Sequence, residues 1–156
     1  EFTQWWNAQT IDDKVAFLKE QQIAVASEFG IESTQLNIID IFDEPGQDAR
    51  GYYNGTGVYL DIDNLETDDP WELVNTVAHE SRHAYQDYAV NTYLETGEPP
   101  EGLSIETVKK WQENFADYTK ADDDFEGYRA QPIEVDARNF GGSYSDRVLV
   151  EQPWTK

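Results

Sequence analysis

Cysteine is absent from this sequence, and so is methionine. Without cysteine there is no disulfide framework and no thiolate to hold a metal, and the redox compartment is left open. Without methionine there is no initiator residue. The start Glu1-Phe2-Thr3-Gln4-Trp5-Trp6 reads as the middle of something longer, so the expectation is a mature or excised domain. No apolar run reaches the roughly 18 residues that a membrane-spanning helix needs. Basic residues are scarce: 11 Lys and Arg stand against 32 Asp and Glu, a net charge of −21. Such a field repels phosphate backbones and anionic headgroups, which argues against nucleic acid and membrane surfaces as partners. It attracts cations and basic proteins, although acidic patterning also serves solubility alone. Histidine is the scarcest of the residues present that carry site chemistry, with 2 in 156.

What remains is enough to fold. Hydrophobic residues make up 38% and aromatic residues 13%, and the length suits one domain over residues 1–156 with its own core. Thr10 to Gly30 reads as a helix with Val15, Leu18, Gln22, Val25 and Phe29 on one face, a weak capping box at Thr10 and Asp13, and Gly30 as its stop. Leu36 to Phe42 reads as a strand, followed by a Pro45-Gly46 turn. Arg50 to Asn54 and Val58 to Ile62 read as further strands around a turn at Asn54-Gly55-Thr56-Gly57. Together they predict a short, mostly antiparallel sheet. The third strand, ending just ahead of the next helix, offers an edge that could take up an extended peptide.

Asp69, Pro70 and Glu72 mark a helix start as N-cap, N1 and N3, and that helix is expected to run from Pro70 to about Ala89. After a loop at Thr96 to Leu103, Ser104 caps a third helix whose stripe of Ile105, Val108, Trp111, Phe115 and Tyr118 reads as core. Asp122-Asp123-Asp124 reads as a solvated acidic loop. Pro132 opens a short fourth helix expected to end at Gly141-Gly142, and Arg147 to Val150 reads as a last strand. Asp61, Asp63 and Glu72 fall at calcium-loop positions. Leu65 and Glu66 occupy the fifth and sixth positions, where a ligand and a glycine belong, so a helix start is the better reading there than a calcium site. The fold class is therefore α+β, a small sheet followed by a motif helix and further helices.

Both histidines fall in one stretch, His79-Glu80-Ser81-Arg82-His83, inside the predicted helix. Residues four apart lie on one helical face, so each imidazole can aim a nitrogen at one point roughly 2 Å away, the zinc–nitrogen distance. Glu80, the next residue round, can accept a proton from a metal-bound water without ligating the metal. Two histidines placed at random give this spacing with Glu second on the order of one time in a thousand, which favours a site over ordinary helix periodicity.

A zinc that does chemistry needs three protein ligands and an open position. No third histidine or cysteine exists, and Gln86 and Ala89 occupy the Gly and His places of the longer H-E-x-x-H-x-x-G-x-x-H pattern. The third ligand must be a carboxylate. Glu106, Glu113, Asp117, Glu134 and Asp136 lie on the downstream helices. Glu134 is chosen: Gln131-Pro132 places it in the first turn of its helix, and Ala137 is small enough to let that helix approach the histidines. Asp136 then points elsewhere.

The stretch from His79 to Gln86, together with Gln131-Pro132-Ile133-Glu134-Val135-Asp136-Ala137, resembles the small gluzincin-type zinc metallopeptidase domains of bacterial polymorphic toxins and phage-related proteins. Glu134 to Phe140 is also similar to the third-ligand helix of antirepressor-cleaving bacterial peptidases. The resemblance implies a zincin-like fold, one zinc ion per chain held by His79, His83 and Glu134, and Glu80 as general base. It further implies a protein or peptide substrate, an endopeptidase rather than an exopeptidase, an inhibitory or immunity protein as partner, and a secreted or delivered effector. One departure stands out. Arg138 occupies the place where thermolysin-like members carry an Asp that orients a histidine, so that role must pass to Asp117, Asp136 or a backbone carbonyl. Tyr128, Tyr144, Arg129 and Arg138 are candidates for stabilising the oxyanion.

The expected activity is zinc-dependent hydrolysis of peptide bonds, with Glu80 taking the proton of the attacking water and passing it to the leaving amine. The competing expectation is an acidic protein-interaction module with a structural or vestigial metal site. The lack of cysteine, which usually builds closed structural sites, speaks against it.

Overall fold

The structure is a computed structural model that describes residues 2–33, 35–39, 50–67 and 69–151. The predicted Pro45-Gly46 turn and the far end of the predicted first strand, residues 40–42, lie outside the described residues. The elements in chain order are α1 (Phe2–Asn7), α2 (Ile11–Glu28), β1 (Gln35–Ile39), β2 (Gly51–Tyr53) and β3 (Gly57–Asp61), then α3 (Asn64–Thr67), α4 (Pro70–Thr96), α5 (Ile105–Ala116), α6 (Phe125–Ala130) and α7 (Pro132–Glu151). The α+β class holds, with a small sheet followed by helices.

The helix starts obey local chemistry. Thr10 Oγ1 accepts from the Asp13 N–H at 3.1 Å, Asp69 Oδ1 from the Trp71 N–H at 2.8 Å, and Ser104 Oγ from the Thr107 N–H at 3.1 Å. Each such cap contributes about 1 kcal/mol by satisfying a donor that has no partner within the helix. The expected face of α2 turns inward, with Leu18, Gln22 and Val25 buried. The helix α4 runs past Ala89 to Thr96 and stops at Gly97, whose φ of 77° is left-handed and whose N–H reaches the Tyr93 carbonyl. It continues because Ala89 and Val90 still find partners, in a cluster with Tyr85, Val108, Trp111 and Ile133.

The sheet order is β1-β3-β2. β2 and β3 form the expected antiparallel hairpin, turned by Asn54, whose Oδ1 accepts from the N–H groups of Thr56 and Gly57. β1 instead runs parallel to β3, so the sheet is mixed rather than mostly antiparallel. The hairpin direction is written in a local turn. The β1 direction follows from pairing Leu36 with Val58 and Ile38 with Leu60 over the core, which no turn encodes. The expectation of a free edge on the third strand is also corrected. β3 is central, and β2 is the strand at the edge near α4.

The largest departure is α7. The sequence predicts a stop at Gly141-Gly142 and a strand from Arg147 to Val150, yet one helix continues to Glu151. Ala137, Tyr144 and Val148 are buried at helical spacing, and that packing carries the chain through both glycines. Gly141 is a contact point rather than a terminator. A Cβ there would lie 3.0 Å from the Asn75 carbonyl oxygen and 3.3 Å from the His79 Cβ. Its missing side chain lets α7 lie directly against the motif helix. Among the described residues no helix is long and apolar enough to cross a membrane.

Candidate metal centre and its cleft

Both histidines lie on α4, and their ring centroids are 4.9 Å apart. Among the described residues, His79, Glu80 and His83 are the one group of three or more metal-ligating side chains brought together, with a ligand atom from each lying within 4.8 Å of the others. The first turn of α7 adds Glu134 from the opposite wall. Its Oε2 is 3.0 Å from His79 Nε2, and its Oε1 is 3.2 Å from His83 Nε2. Two ligand atoms bound to one tetrahedral zinc at 2.0–2.1 Å are about 3.3 Å apart, so both separations suit a shared ion. The donor set of two imidazole nitrogens and a carboxylate suits zinc as well.

Other carboxylates considered from the sequence go elsewhere. Glu106 pairs with Lys110 on the surface, and Glu113 and Asp117 are exposed. Asp136 turns to Arg82 and Gln86. The segment compared with a calcium loop forms α3, with Leu65 fully buried and Glu72 paired to Arg50 at 2.9 Å. A core leucine therefore stands where a ligand side chain would be needed.

Glu134 reaches the histidines because the start of α7 is anchored from α5. Asn114 Oδ1 accepts the Ile133 N–H at 3.0 Å and its Nδ2 donates to Gln131 Oε1 at 2.8 Å, while Gln131 also bonds both backbone groups of Thr119. Pro132 occupies the first helical position, which needs no donor. Placed near the positive end of a helix, a carboxylate is favoured.

The electrostatics separate the two carboxylates. Burial would raise Glu134, but hydrogen bonds and charge from His79 and His83 outweigh it and hold this carboxyl far below its ordinary range. Glu80 is raised instead: burial dominates, and the nearby histidines and the backbone N–H of Tyr53 only partly offset it. One carboxylate is thus firmly ionised against both histidines, while the other is closer to taking a proton. Burial lowers His83, yet its bond to Glu134 and the charges of Glu80 and Glu134 lift it to about 9.

A cleft of about 660 Å³ opens over Glu80, His83 and Glu134. Gly51, Tyr52 and Tyr53 of the edge strand β2 form one wall. Phe115, Tyr118 and Tyr128 form another, so part of the stripe read as core instead lines the site. Tyr118 donates its hydroxyl to Glu134 Oε1 at 2.9 Å, a contact the sequence reading missed. The spacing of Tyr118 from Trp111 and Phe115 hid it, because it stands beyond the end of α5 and not on its buried face. Burial and the Glu134 charge push the hydroxyls of Tyr118 and Tyr128 upward, Tyr128 to about 12, which keeps both as donors. Of the other oxyanion candidates, Tyr144 bonds Gln21 in the core and Arg138 bonds the Arg129 carbonyl.

The residue that meets the other nitrogen of His83 is Gln86, with Oε1 2.8 Å from Nδ1. On sequence it has no role of its own: it closes the stretch that carries the resemblance and breaks the longer motif. Asp136 stands behind it, and Asp117 takes no part in the contact. Compared with known proteins, the chain matches no family model, no curated protein and no solved structure.

Proposed function

We propose that this chain is a zinc-dependent peptidase, with His79, His83 and Glu134 holding the ion and Glu80 acting as general base. The observation that carries the reading is the pair of Glu134 contacts to two Nε2 atoms, with Glu80 beside them on a cleft wall. A bound zinc ion would supply Lewis acidity toward water and toward a carbonyl oxygen. The rest of the work falls to the protein. Glu80, raised by burial, accepts the proton of the attacking water and delivers it to the leaving nitrogen. Tyr118 and Tyr128 keep neutral hydroxyls in the same cleft, turned toward Glu134, and a developing oxyanion would compete with that carboxylate for their protons.

Among the described residues β2 lies at the sheet edge beside Glu80, where an extended peptide would pair with backbone groups other than the Tyr53 N–H that Glu80 already takes. An open-sided cleft of this kind suits cleavage within a chain more than removal of one terminal residue. The charge of −21 favours a basic peptide or protein as substrate, and equally a basic inhibitory partner. Zinc content and hydrolysis of a basic protein such as a histone, measured side by side for the parent and Glu80→Gln, test the reading. One zinc per chain in both, with cleavage only in the parent, is the expected result. Cleavage undiminished in Glu80→Gln overturns the base assignment. Absence of zinc uptake in the parent overturns the metal centre and leaves an acidic interaction module.

A further inference from the structure

Gln86 is completely buried, and its amide is fully engaged. Nε2 donates to the Ile133 carbonyl at 3.0 Å and to Asp136 Oδ2 at 2.8 Å. Both partners only accept, so turning the amide over would set its oxygen against two acceptors. Oε1 therefore faces His83 Nδ1, and because an amide oxygen has no proton to give, Nδ1 must carry one. In the neutral ring the lone pair then sits on Nε2, the atom that faces Glu134 at 3.2 Å.

The clamp continues outward. Asp136 is gripped by the Arg82 guanidinium, Nε to Oδ2 at 2.7 Å and a terminal nitrogen to Oδ1 at 3.1 Å. The guanidinium carbon lies 5.1 Å from the ring centres of Phe29 and Tyr85, 5.2 Å from Phe140 and 5.7 Å from Trp111. Those rings stand on α4, α5 and α7 and just past the end of α2, so four parts of the fold fix this one cation. Arg82 cannot leave without exposing Asp136, and Asp136 cannot turn without releasing the Gln86 amide.

We propose that Gln86 is the positioning residue that holds His83 as the Nδ1–H tautomer with Nε2 presented to the metal, and that the Asp136–Arg82 pair locks the Gln86 amide in the required sense. The consequence at Nε2 rests on the metal-centre reading above, whereas the tautomer rests on the hydrogen bonds alone. The two are therefore separable.

The test uses the full chain as parent, Gln86→Leu and Asp136→Asn. Long-range proton–nitrogen correlation spectra of the histidine rings are recorded on zinc-free protein at a pH where His83 is neutral. Zinc affinity is measured by competition with a chromophoric chelator, and folding by thermal melting. The parent is expected to show His83 protonated at Nδ1. Gln86→Leu is expected to lose that single tautomer and about 10–100-fold in zinc affinity while remaining folded. Asp136→Asn, which leaves Gln86 in place but removes the charge gripped by Arg82 and turns one of the two acceptor oxygens into a donor, is expected to shift the tautomer in the same direction and serves if Gln86→Leu does not fold. An unchanged Nδ1–H signal with undiminished zinc affinity in a folded variant overturns the proposal. A tautomer that moves in protein that never binds zinc supports the role of Gln86 and overturns the metal centre instead.

Discussion

Glu134 Oε2 lies 3.0 Å from Nε2 of His79, across 55 residues of chain. The same carboxylate touches His83, and its side chain is only 4% exposed. A buried carboxylate between two imidazoles is stable only if a proton or a metal ion lies between them. On the proposed reading, replacing it with Ala removes a ligand rather than an orienting partner. Glu134→Ala is therefore expected to lose more zinc affinity than the 10–100-fold set for Gln86→Leu. Because the core does not depend on it, circular dichroism should still show a folded helical protein. Collapse of the fold on metal loss would identify a structural site instead.

Glu80 is expected to separate binding from chemistry. Glu80→Gln keeps the size and the hydrogen bond from the Tyr53 backbone but cannot accept a proton. Zinc content should match the parent, while peptide hydrolysis falls by about 10²–10⁴-fold, the usual contribution of a positioned general base. Equal turnover with zinc still bound would reassign the base.

The pH dependence of the metal-free protein follows from His83, whose pKa is raised from 6.5 to about 9. A raised value means that the fold prefers the protonated ring. That stabilisation is complete below 6.5 and is lost as the pH climbs through about 9. Glu134 has the opposite sign. Its depressed value adds stability above 4.5 that disappears only in stronger acid. In chelator-treated protein the melting temperature should therefore fall between pH 6.5 and somewhat above 9, and His83→Gln should flatten this slope. Zinc competes with the same proton, so zinc affinity should rise across that range and then level off.

The two adjacent glycines of α7 should respond in opposite directions. Glycine inside a helix ordinarily costs about 0.5–1 kcal/mol relative to alanine. At Gly142 an added Cβ would meet only Trp71 Cζ2 at 4.0 Å, an ordinary contact, so Gly142→Ala should stabilise by about that amount. At Gly141 the Cβ would come 3.0 Å from the backbone oxygen of Asn75, which cannot swing aside. Gly141→Ala should cost about 1–3 kcal/mol in denaturant titrations and should weaken zinc binding through His79.

Much of this was legible in the chain because it depends on residues close together. The caps at Thr10, Asp69 and Ser104 act within three residues, and the hairpin at Asn54 also closes within three. The placement of His79 and His83 on one face needs only a helix. Elimination alone left a carboxylate as the remaining ligand type, since no other histidine or any cysteine exists. Even so, the stripe from Ile105 to Tyr118 divided. Val108 and Trp111 went to the core, Ile105 stayed exposed, and Phe115 and Tyr118 went to the cleft; Tyr118 stands past the end of α5 at Ala116, where a helical period says nothing.

The sequence by itself determined an α+β chain with one helix presenting His79, Glu80 and His83, because hydrogen bonds and side-chain spacing within a few residues are written in order along the chain. Only the tertiary structure decided that Glu134 and not Asp136 faces the histidines, that Gln86 meets His83 Nδ1, and that among the described residues β2 and not β3 lies at the sheet edge beside the site. It also carried α7 straight through Gly141. The placing of Glu134 and the course of α7 depend on how closely α4 and α7 pack, and that approach is allowed by a missing side chain on one helix meeting backbone on the other.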